Sequence, residues 1–311
     1  MKKILILSYF ADLHDDALVR VLKSRSIDHF RCAFMEAKGR SFECCISGGR
    51  WEIEADGNVF NSENVSKIWI RSLAPVHLHD NDPHQYIANI ESANAFNEFL
   101  CSLPQNIFFT KPIEAMRAKS KARQAVIASK IGLKIPSTSV FFTTKVKRKV
   151  SPQVLKSTIG GAWTKGGKSK YAVPTTRVSD LIDRPSNVFG LLQEEIQAEA
   201  DIRLFLLGRS ITAIRIWSKD QREKSPDYRF HSATTLRAEV FELPINLIEK
   251  LVELSRQLEV EVSAIDLLQG MDGEFYFLEA NVMGNWIWYE NLSGSKITQK
   301  IADFIAENSY P

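Results

Sequence analysis

The chain has 311 residues and a mass of 35.3 kDa, more than one hydrophobic core usually covers, so we expect two or three structural units. Its 40 basic and 37 acidic residues give a net charge of +3 at pH 7, too small an excess to indicate nucleic acid as the main partner. Charged residues at 25% and apolar residues at 44% are ordinary globular values and exclude general disorder.

The sequence begins with an alternation of strand and helix patterns. The apolar run at residues 4–7 follows two lysines, but acidic residues come soon after it without a cleavage site, so a buried strand is a better interpretation than a signal peptide. Gly48-Gly49 indicates a two-residue hairpin turn. The alternation favours an open α/β layer. Strands are predicted at residues 4–7, 42–47, 50–55, 67–70 and 107–110, and helices at 15–22 and 89–100.

The rest of the chain predicts a second and a third region. A long helical pattern at residues 114–130 opens the second region and ends at Gly132. The third region contains two strand pairs, each joined by a short turn that contains glycine. Further strands are predicted at 137–143, 160–165, 202–207, 211–217, 262–268 and 275–279, and helices at 247–258 and 297–307. We therefore expect three domains, at residues 1–112, 113–188 and 189–311.

Two further features bear on where the protein works. No segment of the sequence reaches the roughly 20 apolar residues that a membrane-spanning helix needs. The 4 cysteines lack C-x-x-C spacing and are sparse for a chain of this length, which favours reduced thiols. The sequence therefore predicts a cytoplasmic protein with no membrane partner.

The strongest chemical signal is a pair of carboxylates and an amide on two predicted strands. Asp266 interrupts one apolar strand, while Glu279 and Asn281 end the next strand and, two residues apart, share a face. Pairing of the strands can bring Asp266 beside them, and oxygen ligands of this kind suit Mg²⁺. The alternative is a polar outer sheet face, although unpaired carboxylates within apolar strands are costly.

Other segments carry weaker signals. The Gly-Gly-Lys-Ser sequence at 166–169 is not a P-loop, because the first motif glycine would have to stand where Ala162 stands. It is either a mobile loop that closes over phosphates or a plain surface loop. The His- and Asp-rich segment 77–84 is better interpreted as a solvated loop than as a metal site, and the basic run 145–149 as surface. Trp286 and Trp288 are expected to share one face of an extended segment, either in the core or as an aromatic wall beside the acidic cluster.

Four blocks follow one another along the chain and together span nearly all of it. They are Trp69-Ile-Arg71, Lys121 to Gln124 with Gly132 to Thr138, Gln193 to Ile196 with Asp201-Ile-Arg203, and Asp227-Tyr-Arg229 with Asp266, Glu279, Asn281 and Trp286. In this order they resemble the blocks of the ATP-grasp superfamily, and more narrowly those of the peptide ligases that mature microviridin-type graspetides. At the last block the family commonly has Asn-Pro-x-Gly-Gln-Trp, whereas this chain has Asn-Val-Met-Gly-Asn-Trp at 281–286, which leaves the peptide substrate open.

The resemblance implies an α/β ATP-grasp fold with an N-terminal pre-ATP-grasp α/β domain, a small central α+β lid domain and a C-terminal α+β domain. ATP would lie between the last two domains, with Mg²⁺ held by Asp266, Glu279 and Asn281. Arg203, Arg215 and Arg229 would neutralise the γ-phosphate and the acyl-phosphate, and Arg71 and Trp286 would face the substrate. The residues implied to bind ATP are Lys121, Lys165, Gln193, Glu194, Glu195, Ile196 and Asp201. Lys168 and Lys170 remain alternatives to Lys165.

The implied reaction joins an activated side-chain carboxylate to a hydroxyl or amine within a ribosomal precursor peptide with an acidic core. The basic run 145–149 and Arg71 would attract that peptide, and a homodimer is expected. A ligase of free amino acids or small peptides is the near alternative, and a non-catalytic peptide- or nucleotide-binding module is the alternative from another class. The acceptor, the ring size and the choice of ester or amide remain open.

Overall fold

The computed structural model describes most of the chain. The segments 77–82, 145–149 and 166–168, which include the predicted loops and the basic run, lie outside the described residues, as do the side chains of 162–165 and 169–172. The described ranges are 2–8, 12–33, 42–71, 73, 83–143, 152–156, 162–165, 169–172, 175–178, 188–218, 226–230 and 235–309.

The N-terminal part contains a parallel sheet and a small antiparallel sheet. Its elements are β1 (Lys3–Ser8), α1 (Leu13–Ser24), β2 (His29–Ala33), β3 (Phe42–Ser47), β4 (Arg50–Ala55), β5 (Asn58–Asn61), β6 (Val65–Ile70) and α2 (Pro83–Ser102). The parallel sheet has the order β2-β1-β6, and β3-β4-β5 form the antiparallel sheet. Because β1 is the central strand, all four residues from Ile4 to Leu7 are buried, as their continuous apolar run predicted.

The middle part begins with two helices and continues into an antiparallel sheet. Its elements are α3 (Pro112–Ala118), α4 (Lys121–Lys130), β7 (Thr138–Thr143), β8 (Gln153–Lys156), β9 (Ala162–Lys165), β10 (Ser169–Ala172), β11 (Thr176–Arg177) and β12 (Val188–Glu194). The sheet order is β11-β8-β12-β7, and β9 pairs with β10 in a separate hairpin. Since β12 belongs to this sheet, the change to the next sheet comes between Glu194 and Ala198, a few residues after the predicted boundary at 188.

The C-terminal part is built on a five-stranded antiparallel sheet of order β15-β14-β13-β16-β17. Both predicted strand pairs, joined at Gly208 and Gly273, are confirmed. The elements are β13 (Ala198–Leu207), β14 (Ser210–Ser218), β15 (Leu236–Phe241), α5 (Ile245–Leu258), β16 (Val262–Gly270), β17 (Phe275–Asn281), α6 (Ile287–Ser293) and α7 (Ile297–Asn308).

The two faces of this C-terminal sheet bury two different cores, because side chains alternate along each strand. On one face, Ile202 and Leu204 pack in the cluster that contains Leu251 and Leu254 of α5. On the other face, Phe205 packs in a cluster with residues of α1 and α7, among them Leu18, Leu22, Ile301 and Ile305. Both cores extend into the N-terminal sheet, so the N-terminal and C-terminal parts pack as one body.

Three predicted elements differ in the structure. The helix expected at 114–130 is divided after Ala118, and α4 starts afresh with Ser120, whose hydroxyl accepts a hydrogen bond from the Arg123 N–H at 3.3 Å. The strand expected at 107–110 is a 3-10 turn followed by a single bridge from Phe108 to Ile68. The extended segment expected around Trp286 and Trp288 is wrong, because α6 begins at Ile287.

Among the helices in the described parts of the chain, none is both long and apolar enough to cross a membrane.

One carboxyl group is fully buried in the N-terminal part. Asp15 in the first turn of α1 has no exposed surface. Burial, and then the charge of Asp12, raise the pKa of Asp15 from its ordinary value of 3.8 to about 7. The folded state therefore holds a proton that the unfolded chain releases between about pH 4 and pH 7, so the contribution of Asp15 to stability falls as the pH rises through that range.

We predict that Asp15→Asn removes this pH dependence. The amide cannot ionise, so the variant should gain stability relative to wild type as the pH rises from 4 to 7, by up to about 4 kcal/mol. Urea unfolding at pH 4 and pH 8 measures the difference, and Asp16→Asn, in the same turn but partly exposed, is the control. An Asp15→Asn variant with the wild-type pH slope would contradict the prediction.

Candidate active site

Three side chains converge where β16 and β17 pair. The strand register sets Asp266 directly opposite Glu279, with a bulge after Asp266. The Asn281 Nδ2 donates to Glu279 Oε1 at 2.9 Å and to Asp266 Oδ2 at 3.3 Å. The convergence predicted from the two strand patterns is therefore confirmed, while metal binding by these residues stays a prediction.

Two cations neutralise the two carboxylates. The Lys121 Nζ lies 2.7 Å from Glu279 Oε2, and the Arg203 Nη1 donates to Asp266 Oδ1 at 2.6 Å. Burial raises the pKa of Asp266 even though Arg203 opposes the shift. Burial is also the largest influence on the pKa of Glu279 and would raise it. The charge of Lys121, the hydrogen bonds from Lys121 and Asn281 and the charge of Lys156 together outweigh burial and lower the pKa to about 2. Glu279 is thus an ionised oxygen donor at any physiological pH.

The position of Lys121 depends on Gln124, one turn along α4. Gln124 is 1% exposed, and its amide donates to the Ala280 C=O at 2.8 Å and accepts from the Ala280 N–H at 2.8 Å. Ala280 stands between Glu279 and Asn281, so this pair of hydrogen bonds ties the start of α4 to the cluster. Gln124 belongs to one of the matching sequence blocks, but no role was predicted for it.

A second lysine, missed in the sequence, faces the same cluster. Lys156 ends β8 and lines the cleft beside Lys121. Burial lowers the pKa of Lys156, and the charge of Glu279 opposes that shift. The sequence feature that could have indicated Lys156 is a lysine after the apolar pair at 154–155, four residues before a glycine pair at 160–161. Lys165, the lysine predicted for this place, ends β9, and its side chain lies outside the described residues.

The cluster opens into a cleft of about 1360 Å³ between the central and the C-terminal sheets. The segment that joins β12 to β13 forms one side of the cleft. Gln193 is buried and donates to the Thr138 Oγ1 at 2.9 Å, and Glu195 pairs with Arg177 at 2.8 Å. The residues predicted to bind ATP that line this cleft are Lys121, Gln193, Glu194, Glu195, Ile196 and Asp201.

Two of the three predicted catalytic arginines line the cleft. Arg203 stands in one row with Asp266 and Glu279 across β13, β16 and β17. Arg229 is held in a fork by Asp227, with Nε to Oδ1 at 2.8 Å and Nη2 to Oδ2 at 2.5 Å. Its guanidinium is thus fixed at the cleft but 57% exposed, as a group that binds an anion needs to be.

The placement of Arg215 does not agree with its predicted role. Arg215 pairs with Ile202, and neighbouring residues of β13 alternate between the two faces of the sheet, so Arg215 lies on the face opposite to Arg203. There it forms an ion pair with Glu199 at 2.5 Å and lies over the ring of Trp217. Its expected contact with the reacting phosphate would require it to cross the sheet.

The predicted substrate residues Arg71 and Trp286 lie behind the cleft wall rather than on it. They are 5% and 3% exposed. The Arg71 Nη1 donates to the Met283 C=O at 2.5 Å, and the Trp286 Nε1 donates to the Thr298 Oγ1 at 3.0 Å. The structure therefore places the Arg71 side chain against the segment that follows Asn281 and the Trp286 side chain against α7.

Gly284 in that segment allows a close backbone approach. A Cβ atom at this position would lie 2.3 Å from the Ala264 Cβ and 2.8 Å from the Arg203 Nη2. Any side chain at 284 would therefore displace Arg203 or the strand that carries Ala264.

No family model matches the chain, and no curated protein sequence matches it. Solved structures do match it over its full length. A Chryseobacterium gregarium RiPP-associated ATP-grasp ligase, in complex with ADP and a leader and core peptide, is 26% identical with a TM-score of 0.77, covering 100% of this chain and 98% of that one. The macrocyclase MdnC of Microcystis aeruginosa MRC, bound with the precursor peptide MdnA, is 21% identical with a TM-score of 0.79, covering 99% and 100%.

The ATP-grasp ligase PsnB, complexed with a minimal precursor, is 18% identical with a TM-score of 0.75, and 99% of each chain is covered. The α/β ATP-grasp fold that the sequence blocks implied is therefore confirmed, as is the resemblance to ATP-grasp ligases of ribosomal peptides.

We predict that Lys121→Met changes metal and nucleotide binding in opposite directions. Without nucleotide, Mn²⁺ should bind several-fold more tightly, because the lysine no longer competes for Glu279. The affinity for ADP should fall by about tenfold, since the resemblance implies a charge-assisted contact from Lys121 to phosphate that methionine cannot make. Electron paramagnetic resonance of Mn²⁺ and calorimetry of ADP measure the two constants. Lys130→Met, at the exposed end of α4, is the control, and weaker Mn²⁺ binding in Lys121→Met would contradict the prediction.

Proposed function

We propose that this protein is an ADP-forming ATP-grasp ligase that activates a side-chain carboxylate of a ribosomal precursor peptide and joins it to a hydroxyl or amine of the same peptide. The observation that carries this proposal is the row of Arg203, Asp266 and Glu279, with Lys121 and Lys156 beside it, in a cleft between two sheets. The similarity of the full chain to peptide ligases of this fold supports it.

ATP is proposed to bind across the described cleft. The segment from Gln193 to Ile196 would bind the adenine, and Asp201, which is 8% exposed, would accept from the ribose hydroxyls. Lys121 and Lys156 would bind the phosphates as point charges. Lys165 remains a further candidate for the phosphates on its hairpin.

The cluster of Asp266, Glu279 and Asn281 fits a magnesium ion. Its two carboxylates are about one quarter exposed, at 24% and 21%, and both face the cleft. They offer two oxygen ligands, and Asn281 would add a third once its amide turns Oδ1 toward the ion in place of the Nδ2 that now donates to the carboxylates. Such a set matches the preference of Mg²⁺ for a few protein oxygens together with phosphate and water. Bound there, Mg²⁺ would neutralise charge on the phosphates. Lys121 would have to leave Glu279 and turn to the nucleotide.

The reaction has two steps. A carboxylate oxygen of the peptide forms a bond to the γ-phosphorus, the bond from that phosphorus to the β–γ bridging oxygen breaks, and ADP leaves. A hydroxyl or amine then attacks the acyl carbon, loses its proton and displaces inorganic phosphate. Among the residues that line the cleft, Arg203 and Arg229 would neutralise the charge on the transferred phosphoryl group, so the protein contributes positioning and electrostatics.

The finer features of the substrate and assembly are part of the same proposal. The precursor would have an acidic core, which the cationic groups of the cleft would attract. The protein would act in the cytoplasm, where ATP and Mg²⁺ are available, and as a homodimer. A ligase of free amino acids would use the same ATP site. A non-catalytic binding module has less support, because a site that binds only peptide has no need of the carboxylate pair.

We predict that Glu279→Gln lowers turnover at least ~100-fold while the fold survives, because the ionised oxygen donor next to Lys121 is lost. The measurement is intact-mass spectrometry with ATP, Mg²⁺ and each short peptide encoded near the gene, together with an assay of ADP. Wild type should remove one water, 18 Da, from the peptide for each linkage formed. Glu274→Gln, at the exposed turn of the same strand pair, is the matched control.

ADP release, peptide mass and ATP binding together distinguish the candidate functions. Peptide-stimulated ADP release without loss of water would indicate a missing second substrate and favour the amino-acid ligase. ATP binding without turnover, for the wild type and for several neighbouring peptides, would favour the binding module. Unchanged ADP release by Glu279→Gln would contradict the metal assignment.

A further inference from the structure

The segment that leaves the metal cluster is held from the N-terminal part of the protein. After Asn281 the chain runs through Met283, Gly284 and Asn285 to the start of α6. Arg71, which directly follows β6, donates to the Met283 C=O at 2.5 Å and also to the Asn285 Oδ1. One guanidinium therefore fixes this segment at two points, one on the backbone and one on a side chain.

Arg71 is itself held in place. Its backbone N–H donates to the Leu7 C=O at 2.9 Å, which ties Arg71 to β1 in the parallel sheet of the N-terminal part. Its Nε lies 3.3 Å from the Asp12 Oδ2, and its guanidinium lies over the Trp286 ring at 5.0 Å. At 5% exposure the side chain is fixed by packing and charge.

A second group from the same part of the protein holds the end of the segment. The His14 Nδ1 accepts from the N–H groups of Trp286 and Ile287, both at 3.3 Å. Burial, and then the charge of Arg71, lower the pKa of His14 to about 4. The imidazole is therefore neutral and keeps an acceptor for these two donors.

The held segment in turn contacts the reaction centre. The Gly284 backbone lies so close to the Arg203 guanidinium that an added Cβ would be 2.8 Å from Nη2. Asn281, three residues earlier, donates to both carboxylates of the cluster. A shift of residues 283–285 would therefore move both Arg203 and Asn281.

We propose that Arg71 is a positioning residue for the ligase reaction, acting through Met283 and Asn285 to place Arg203 and Asn281. This role rests on the proposed function, and it makes the N-terminal part a component of the catalytic machinery. It replaces a direct contact between Arg71 and the peptide, which the burial of Arg71 does not favour.

The test uses a pair of substitutions that removes the ion pair without leaving a buried charge. Asp12→Asn with Arg71→Met keeps the net charge of the protein. The control is Asp16→Asn with Arg31→Met, which removes the partly exposed ion pair between α1 and β2. Asn285→Ala removes one contact of the segment and keeps Arg71. This variant still tests the proposal if Asp12→Asn/Arg71→Met does not fold.

The proposal expects a split between catalysis and binding. Both Asp12→Asn/Arg71→Met and Asn285→Ala should lower kcat, the former by about 100-fold, because small misplacements of reacting groups have effects of that size. KM for ATP should rise by no more than the lost effect of Mg²⁺ on nucleotide binding, since the adenine segment is not touched. The gain in ADP affinity on adding Mg²⁺, measured by calorimetry, should shrink in both variants, and the control should behave as wild type.

Two results would overturn the proposal. One is a folded Arg71 variant with wild-type kcat and a wild-type effect of Mg²⁺ on ADP binding. The other is a raised KM for the peptide at unchanged kcat, which would show that Arg71 contacts the substrate. If the wild type itself fails to turn over peptide, the ligase proposal fails, whereas the Mg²⁺ effect on ADP binding still decides the role of Arg71.

Discussion

The site depends on two carboxylates held side by side in a partly buried place, where their mutual repulsion has to be balanced. The pairing of β16 with β17 brings Asp266 and Glu279 together, and Arg203 and Lys121 supply the balancing charges. Each cation comes from a different neighbouring element, so the charge balance requires β13 and α4 to be docked against the strand pair. The two carboxylates can therefore stay paired in this register only while β13 and α4 remain packed against β16 and β17.

Two connections maintain that docking. Gln124 joins α4 to β17 through a pair of buried hydrogen bonds around Ala280. Arg71 joins the N-terminal sheet to the segment after Asn281. Both contacts use main-chain groups of the C-terminal part, so they fix the backbone that carries the functional side chains.

Local sequence patterns predicted those features that depend on neighbouring residues. The strand pair around Gly273 and the shared face of Glu279 and Asn281 follow from a period of two, and both are observed. Arg215 was misplaced because its role was taken from the family resemblance, whereas its face is set by the register of the predicted β13–β14 pair, which puts it opposite Ile202. Lys156 was missed because its role depends on how the central sheet approaches the cluster. Arg71 was expected at the substrate from the resemblance. Its actual contact was not predicted, because a lone arginine after a strand does not reveal which backbone it will contact.

The most direct test of carboxylate activation follows an oxygen atom. The precursor peptide, labelled with ¹⁸O in its side-chain carboxylates, is incubated with the protein, ATP and Mg²⁺, and the released phosphate is analysed by mass spectrometry. The proposed mechanism predicts one ¹⁸O in the phosphate for each linkage formed, because the carboxylate oxygen bridges to phosphorus and leaves with it. Phosphate without ¹⁸O, released while the peptide loses water, would contradict an acyl-phosphate and with it the proposed roles of Arg203 and Arg229.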